Sequence, residues 1–280
     1  MLGVSGFDDI ANAIPLAPTL STLGRSPRAV IDRLAEAGFS ALELGIDQPA
    51  FYPRALDSSS RRGLISLLRQ RGLVLAGLDA FFPPALFHDP VHVDQVVSNL
   101  MDAIDLAGDL STASGGFGAV GLGVHFPALG KVQGKHEPAS DGTAVSEDSA
   151  QELSSVVAVI ERAAHRGVPL IDFRTDGLWA ERDLVMRGVD CLAVLQNGGD
   201  PVKAVHSAGD RLLGLRLGDQ NPDGTTRPLE DGARCFDLLA LKVALAVNGF
   251  ERPVVVSARG WPDPWAGLIQ TQQAWASHAG

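Results

Sequence analysis

The chain has 280 residues, of which 45% are hydrophobic and 20% charged, with a formal net charge of -10 at pH 7. These are the proportions of a globular protein able to bury a sizeable core. No Lys/Arg run exceeds two residues, so there is no basic footprint for nucleic acid or an anionic membrane surface.

No stretch approaches the roughly 18 uninterrupted apolar residues of a membrane span. The opening MLGVSGFDDI lacks the basic start and long apolar run of a secretion signal. Cys191 falls in a strand-like run and Cys235 in a helix-like one, without a spacing motif. Buried free thiols of a reducing, cytoplasmic compartment are the expectation.

In chain order, LAPTLST (16–22) is the first expected strand. SPRAVIDRLAEAG (26–38) follows as a helix, with Ser26 at the N-cap, Pro27 at the first helical position and Gly38 as the stop. Strand SALELG (40–45) precedes a helix around 58–71, and LVLAGLDA (73–80) is the third strand. The helix over roughly 90–108 carries Val93, Val96, Val97, Leu100, Ile104 and Leu106, spaced for one apolar face. AVGLGVHF (119–126) is the fourth strand, and the polar stretch at about 127–147 is a long exposed loop.

A helix at 148–166 leads to VPLIDFR (168–174). The short WAERDLVMRG unit then precedes a sixth strand in DCLAVLQN (190–197). DPVKAVHSAG leads into RLLGLRLGD, a helix near 231–248 into RPVVVSARG (252–260), and a last helix covers about 264–277. Eight strand–helix units in this length match a closed (β/α)8 TIM barrel, with a doubly wound open sheet as the alternative. No Gly-rich dinucleotide fingerprint follows the first strand, which weakens that alternative. No linker divides the chain, so a single domain over 1–280 is expected.

The segment RLLGLRLGDQNPDG (211–224) sets a permanent cation, Arg216, inside an apolar strand. An unpaired buried charge costs several kcal/mol, so Arg216 needs a partner, with Asp172 or Asp219 the expected ones. Guanidinium also suits carboxylates and phosphates, so an anionic small molecule could compete for it. In a barrel the C-terminal strand ends converge. They bring together Glu43, Asp79, His125, Asp172, Arg174, Gln196, Asn197, Arg216, Asp219, Ser257 and Arg259, with Trp261 and Trp265 as walls.

Asp172 is a candidate general base, or else an arginine partner. His125, at the end of GVHFP, is a candidate for proton transfer, or else a hydrogen-bonded structural histidine. Arg216 is the candidate for polarising an oxygen. Glu43, Asp79, Arg174, Gln196, Asp219, Ser257, Arg259 and Trp261 are candidate substrate contacts. Asp79 serves equally as a turn or cap residue, and Asp219 as the start of a turn. No GxSxG elbow, GxxxxGK[ST] loop or CxxC pair supports nucleophilic or nucleotide chemistry.

Several stretches, in order, resemble the xylose isomerase-like barrel family of sugar-phosphate isomerases and epimerases. They are RLAEAGFSALELG (33–45), LISLLRQRGLVLAGLDA (64–80), HDPVHVDQVVSNLMDAIDLAGDL (88–110), VVAVIERAAHRGVPLIDF (156–173) and GDPVKAVHSAGDRLLGLRLGD (199–219). The resemblance implies a divalent metal at the barrel mouth. Its ligands are a Glu after the fifth strand, an Asp in the sixth, a His in the seventh and a Glu in the eighth. Here those positions fall on Phe173, near Leu195 and Gln196, on Arg216 and on Ser257, while Asp219 matches its family position.

Magnesium or manganese wants several oxygen ligands, whereas arginine has no lone pair to give and keeps its proton. No metal and no cofactor are therefore expected. The resemblance implies a divergent isomerase- or epimerase-like protein that binds a sugar, polyol or sugar acid. The alternative is a non-catalytic ligand-binding or interaction protein on the same barrel. The family's metal-dependent endonuclease branch is disfavoured, because its ligand cluster is missing and an acidic surface repels DNA. A homo-oligomer stays open.

Overall fold

The computed structural model describes residues 14–114, 119–127, 147–174, 179, 185–230 and 234–277. Eight parallel strands form one sheet: β1 (Leu16–Pro18), β2 (Ala41–Gly45), β3 (Val74–Asp79), β4 (Gly121–Val124), β5 (Leu170–Asp172), β6 (Val185–Asp190), β7 (Leu212–Leu217) and β8 (Val254–Val256). Their order is β1-β8-β7-β6-β5-β4-β3-β2, and a bridge between Thr19 and Glu43 brings the two ends together. The result is a (β/α)8 barrel, as the alternation of apolar runs and amphipathic segments predicts.

The helices are α1 (Pro27–Glu36), α2 (Ser58–Gln70), α3 (Val93–Ser114), α4 (Glu147–Arg166), α5 (Cys191–Gln196), α6 (Pro201–Ala208), α7 (Leu238–Val247) and α8 (Pro264–Ser277). Aspartates start several of them by accepting from backbone N–H groups: Asp57 from Ser60 at 2.7 Å, Asp200 from Val202 at 2.9 Å and Asp237 from Ala240 at 3.0 Å. Ser26 and Pro27 occupy the expected start of α1, and Gly38 follows its end at φ +84°, where glycine carries no Cβ penalty. Between sheet and helices, Leu34, Leu42, Leu44, Leu78, Ile104 and Leu122 are at most 1% exposed. No described helix is long and apolar enough to cross a membrane.

One unit departs from expectation. The sixth strand ends at Asp190, and the apolar run expected to form it folds as α5. A short apolar run suits a strand or a buried helical turn equally, so periodicity does not choose. The choice is made by Asp190, whose carboxylate accepts from the Ala193 N–H at 3.1 Å and so starts the helix. Of the expected 127–147 loop, residues 128–146 lie outside the described residues, as do 180–184 of the unit before β6. Cys191 is buried in α5, while Cys235 is exposed just before α7, and both are free thiols.

Inside the barrel, glycines make room for two large side chains of the fifth unit. A Cβ on Gly188 of β6 would lie 2.5 Å from the Phe173 ring. One on Gly214 of β7 would lie 2.8 Å from both Phe173 and Ile171. Such distances are well inside carbon–carbon contact, so Ile171 and Phe173 fill the axis because these positions have no side chain. At the N-terminal end, the Arg252 guanidinium donates to the carbonyls of Ala76 at 3.1 Å and Ala119 at 3.3 Å. Arg252 thus ties strand starts together at that end, and a cleft lies at the opposite one.

Candidate active site at the barrel mouth

Alternation along β7 turns Leu215 and Leu217 outward to the helices and Arg216 inward, above Gly214. In the ring of eight strands β3 lies opposite β7, and Arg216 spans the axis to reach it. Its Nη2 donates to Asp79 Oδ1 at 2.6 Å and stands 3.6 Å from Glu43 Oε1. Its Nη1 is 3.3 Å from His125 Nε2, and its Cζ lies 4.1 Å from the centre of the Phe173 ring. Ion pair and cation–π contact together hold the guanidinium at the centre of the mouth.

The neighbours are fixed in turn. Thr19 Oγ1 donates to Glu43 Oε2 at 2.7 Å. The His125 ring meets Phe81 edge-on at 4.9 Å and lies nearly parallel to Phe173 at 6.2 Å. Burial pushes Glu43 up from 4.5 to about 7, Asp79 adds to the push, and Arg216 and Thr19 oppose it. Burial, then the Arg216 charge, brings His125 down to about 4. His125 is thus neutral at pH 7, and with Arg216 facing Nε2 its proton sits on Nδ1. Burial alone would lower the Arg216 value, but the carboxylates of Asp79, Glu43 and Asp190 outweigh it. One guanidinium therefore faces three carboxylates.

The structure places eight of the expected site residues, Glu43, Asp79, His125, Arg216, Asp219, Ser257, Arg259 and Trp261, around one cleft of about 410 Å3. Asp219 is fully buried. Its Oδ2 accepts from Arg227 Nε at 2.9 Å and Nη2 at 2.8 Å, and its Oδ1 from the Cys235 N–H at 3.2 Å. It anchors the two-stranded ribbon of Asp219–Gln220 with Thr226–Arg227. Arg259, at the rim, has a 63% exposed side chain and stands 3.8 Å from Asp47. Trp261 is buried, packed against Gly267. Trp265 lies apart from this cleft, under Arg33 of α1.

Four more expected residues, Asp172, Arg174, Gln196 and Asn197, fall outside this cleft. Ile171 and Phe173 point into the barrel, so Asp172 between them points to the outer face of β5. It is 1% exposed, and its Oδ1 accepts from the Arg174 N–H at 3.2 Å. Arg174 donates to the Phe126 carbonyl at 2.8 Å and lines a separate cleft with Arg187 and Asn197. Gln196 is exposed at the end of α5, because that segment is helical. The partners expected for Arg216, Asp172 and Asp219, are replaced by Asp79 and Glu43 from across the barrel. Asp190 and Thr19 line the cleft without having been singled out. An aspartate immediately before a short apolar helix was the available sign for Asp190.

No protein-family model and no curated protein sequence matches the chain. Solved structures do. D-psicose 3-epimerase with D-tagatose, from Clostridium cellulolyticum H10, is 15% identical with TM-score 0.64, over 94% of this chain and 96% of that one. A xylose isomerase domain protein from Planctomyces limnophilus is 13% identical with TM-score 0.67, over 95% and 98%. A xylose isomerase-like TIM barrel protein from Mycobacterium smegmatis, in complex with magnesium, is 16% identical with TM-score 0.63, over 96% and 99%. At these identities the likeness is one of fold.

Proposed function

Proceeding from a fold shared with xylose isomerase-like TIM barrels, we propose that this chain binds a sugar across the mouth cleft and moves a proton on it. In this reading the guanidinium of Arg216 takes the place of a divalent metal. The observation that carries it is the position of that guanidinium, held by Asp79 and stacked on Phe173 at the centre of the mouth. Of the four positions expected to hold a metal, Phe173, Arg216 and Ser257 stand as read, while the sixth-strand position, expected near Leu195 and Gln196, moves to Asp190 because the strand ends there. They do not fit a dication: phenyl and guanidinium have no lone pair to offer. A cation among them would also face the Arg216 charge in a low-dielectric setting. No group of three or more His, Cys, Asp or Glu among the described residues could hold a metal ion.

The charge balance favours an uncharged ligand over a sugar acid or phosphate, because an entering anion would meet Glu43, Asp79 and Asp190. Asp172 faces away from the cleft, so Glu43 is the better base. A carboxyl with a value of about 7 gives and takes protons near neutrality. Ionised Glu43 takes the proton from the carbon next to the sugar carbonyl. The C–H pair moves to form the enediolate, whose charged oxygen Arg216 stabilises; the proton of the neighbouring hydroxyl then passes to that oxygen as Glu43 returns its own proton to the carbon that was the carbonyl. Neutral His125 hydrogen-bonds a hydroxyl.

Incubating the protein with a panel of aldoses and ketoses in deuterium oxide, with proton NMR of the sugar C–H signals, tests this. Washout of one C–H signal that persists in EDTA and is at least about a hundredfold slower in Glu43→Gln is the expected outcome. Washout abolished by EDTA and restored by Mn²⁺ overturns it. Sugar binding without washout leaves the non-catalytic binding barrel.

A further inference from the structure

The mouth cleft has a side arm. A second cavity of about 110 Å3 runs outward between the loop after β2 and the loop after β3. It shares Asp79, Phe81 and Arg259 with the main cleft, so the two spaces adjoin at these side chains. Tyr52 and Phe82 wall the arm, and Asn99 of α3 lies at its outer end.

Two of these aromatic rings are unusually open. Phe81 is 45% exposed and Tyr52 36%, among the few large apolar side chains left uncovered. Both are nevertheless held. Phe81 packs edge-on against His125 at 4.9 Å. The Tyr52 hydroxyl donates to Asn99 Oδ1 at 3.2 Å, and the same oxygen accepts from Gln95 Nε2 at 2.9 Å. A fixed ring with an uncovered apolar surface loses little entropy when a second ring stacks on it. Of the other charged groups on the arm, Asp102 is tied to Arg54 at 2.5 Å, and Asp47 stands 3.8 Å from Arg259.

We propose that the side arm holds the second ring of a glycoside whose first sugar occupies the main cleft. The ligand class is then a disaccharide, whose reducing ring in the main cleft keeps the carbonyl that the proton transfer needs, in preference to a free monosaccharide; aryl glycosides, with that carbonyl blocked, serve as binding probes. This inference rests on the sugar-binding reading of the main cleft. The junction supports it: Asp79 and Arg259 are placed to hydrogen-bond the linking region, while Tyr52 and Phe82 face only the outer ring.

Isothermal titration with methyl glycosides of common hexoses and pentoses, each paired with its phenyl glycoside, tests it. The expected result is a phenyl glycoside binding about tenfold more tightly than its methyl partner, with the ratio falling to about one in Tyr52→Ala. Equal affinities for methyl and phenyl glycosides in the parent protein overturn the side-arm inference and leave the main cleft intact. Failure of every glycoside, and of the free sugars, to bind overturns the sugar reading itself.

Discussion

Replacing Arg216 by methionine lowers the stability of the fold by about 3–5 kcal/mol at pH 7.5, the range for removing one partner of a buried ion pair. Methionine preserves much of the stem and the packing on Phe173, so the loss reports the charge. Without the guanidinium, Glu43, Asp79 and Asp190 face one another across a poorly hydrated mouth and repel. The deficit is largest at high pH and shrinks toward pH 5, where Glu43, raised by burial, holds its proton. Urea denaturation of parent and variant at both pH values measures this. A loss below about 1 kcal/mol that is the same at the two pH values would mean that Arg216 balances no buried charge.

Glu43→Gln changes the pH dependence of stability in a sense fixed by two opposed titrations. Glu43 ionises at about 7 in the fold against 4.5 ordinarily. Between those values the unfolded chain has released a proton that the folded chain still holds. Its contribution is therefore complete below pH 4.5 and falls by about 3 kcal/mol as pH rises through 7. His125 works the other way. With its value brought from 6.5 to about 4, its contribution is complete above 6.5 and is lost as pH falls through 4. In the parent the two slopes nearly cancel between about pH 4.5 and 6.5.

Glutamine cannot ionise, so in the variant the His125 slope stands alone. Stability climbs by about 3 kcal/mol from pH 4 to 6.5 relative to the parent's nearly level course over the shared window, and the Glu43 decline above it disappears. Urea midpoints in half-unit steps from pH 4 to 8 read this directly. Curves for parent and variant that run parallel across the range contradict the burial assigned to Glu43.

Most of the barrel is legible in the sequence because its units are punctuated. Ser26-Pro27 opens α1, Gly38 closes it, and Asp200-Pro201 opens α6, so the apolar runs between them can only be strands. The sixth unit is not legible in the same way. VMRGVD has an arginine and a glycine where a buried strand is expected to be apolar, and CLAVLQ looks more strand-like than it is. Gly188 explains the difference, since a strand that must accommodate Phe173 trades a side chain for space.

The members of the site are legible because a barrel gathers its strand ends, but their pairing is not. Arg216 and Asp79 are 137 residues apart and meet because their strands stand opposite. Asp172 illustrates the complementary difficulty. A three-residue strand gives too little alternation to fix its faces, and only the fit of Phe173 into Gly188 and Gly214 shows which way it turns.

Guanidinium in place of a dication is most directly tested by titrating Mn²⁺ into the protein at pH 7.5 and following the free-ion signal by electron paramagnetic resonance. The prediction is a signal that stays at its buffer intensity, with no saturable site tighter than about millimolar. Loss of one equivalent of that signal at micromolar Mn²⁺, reversed by Mg²⁺, would show a metal held where Arg216 is placed.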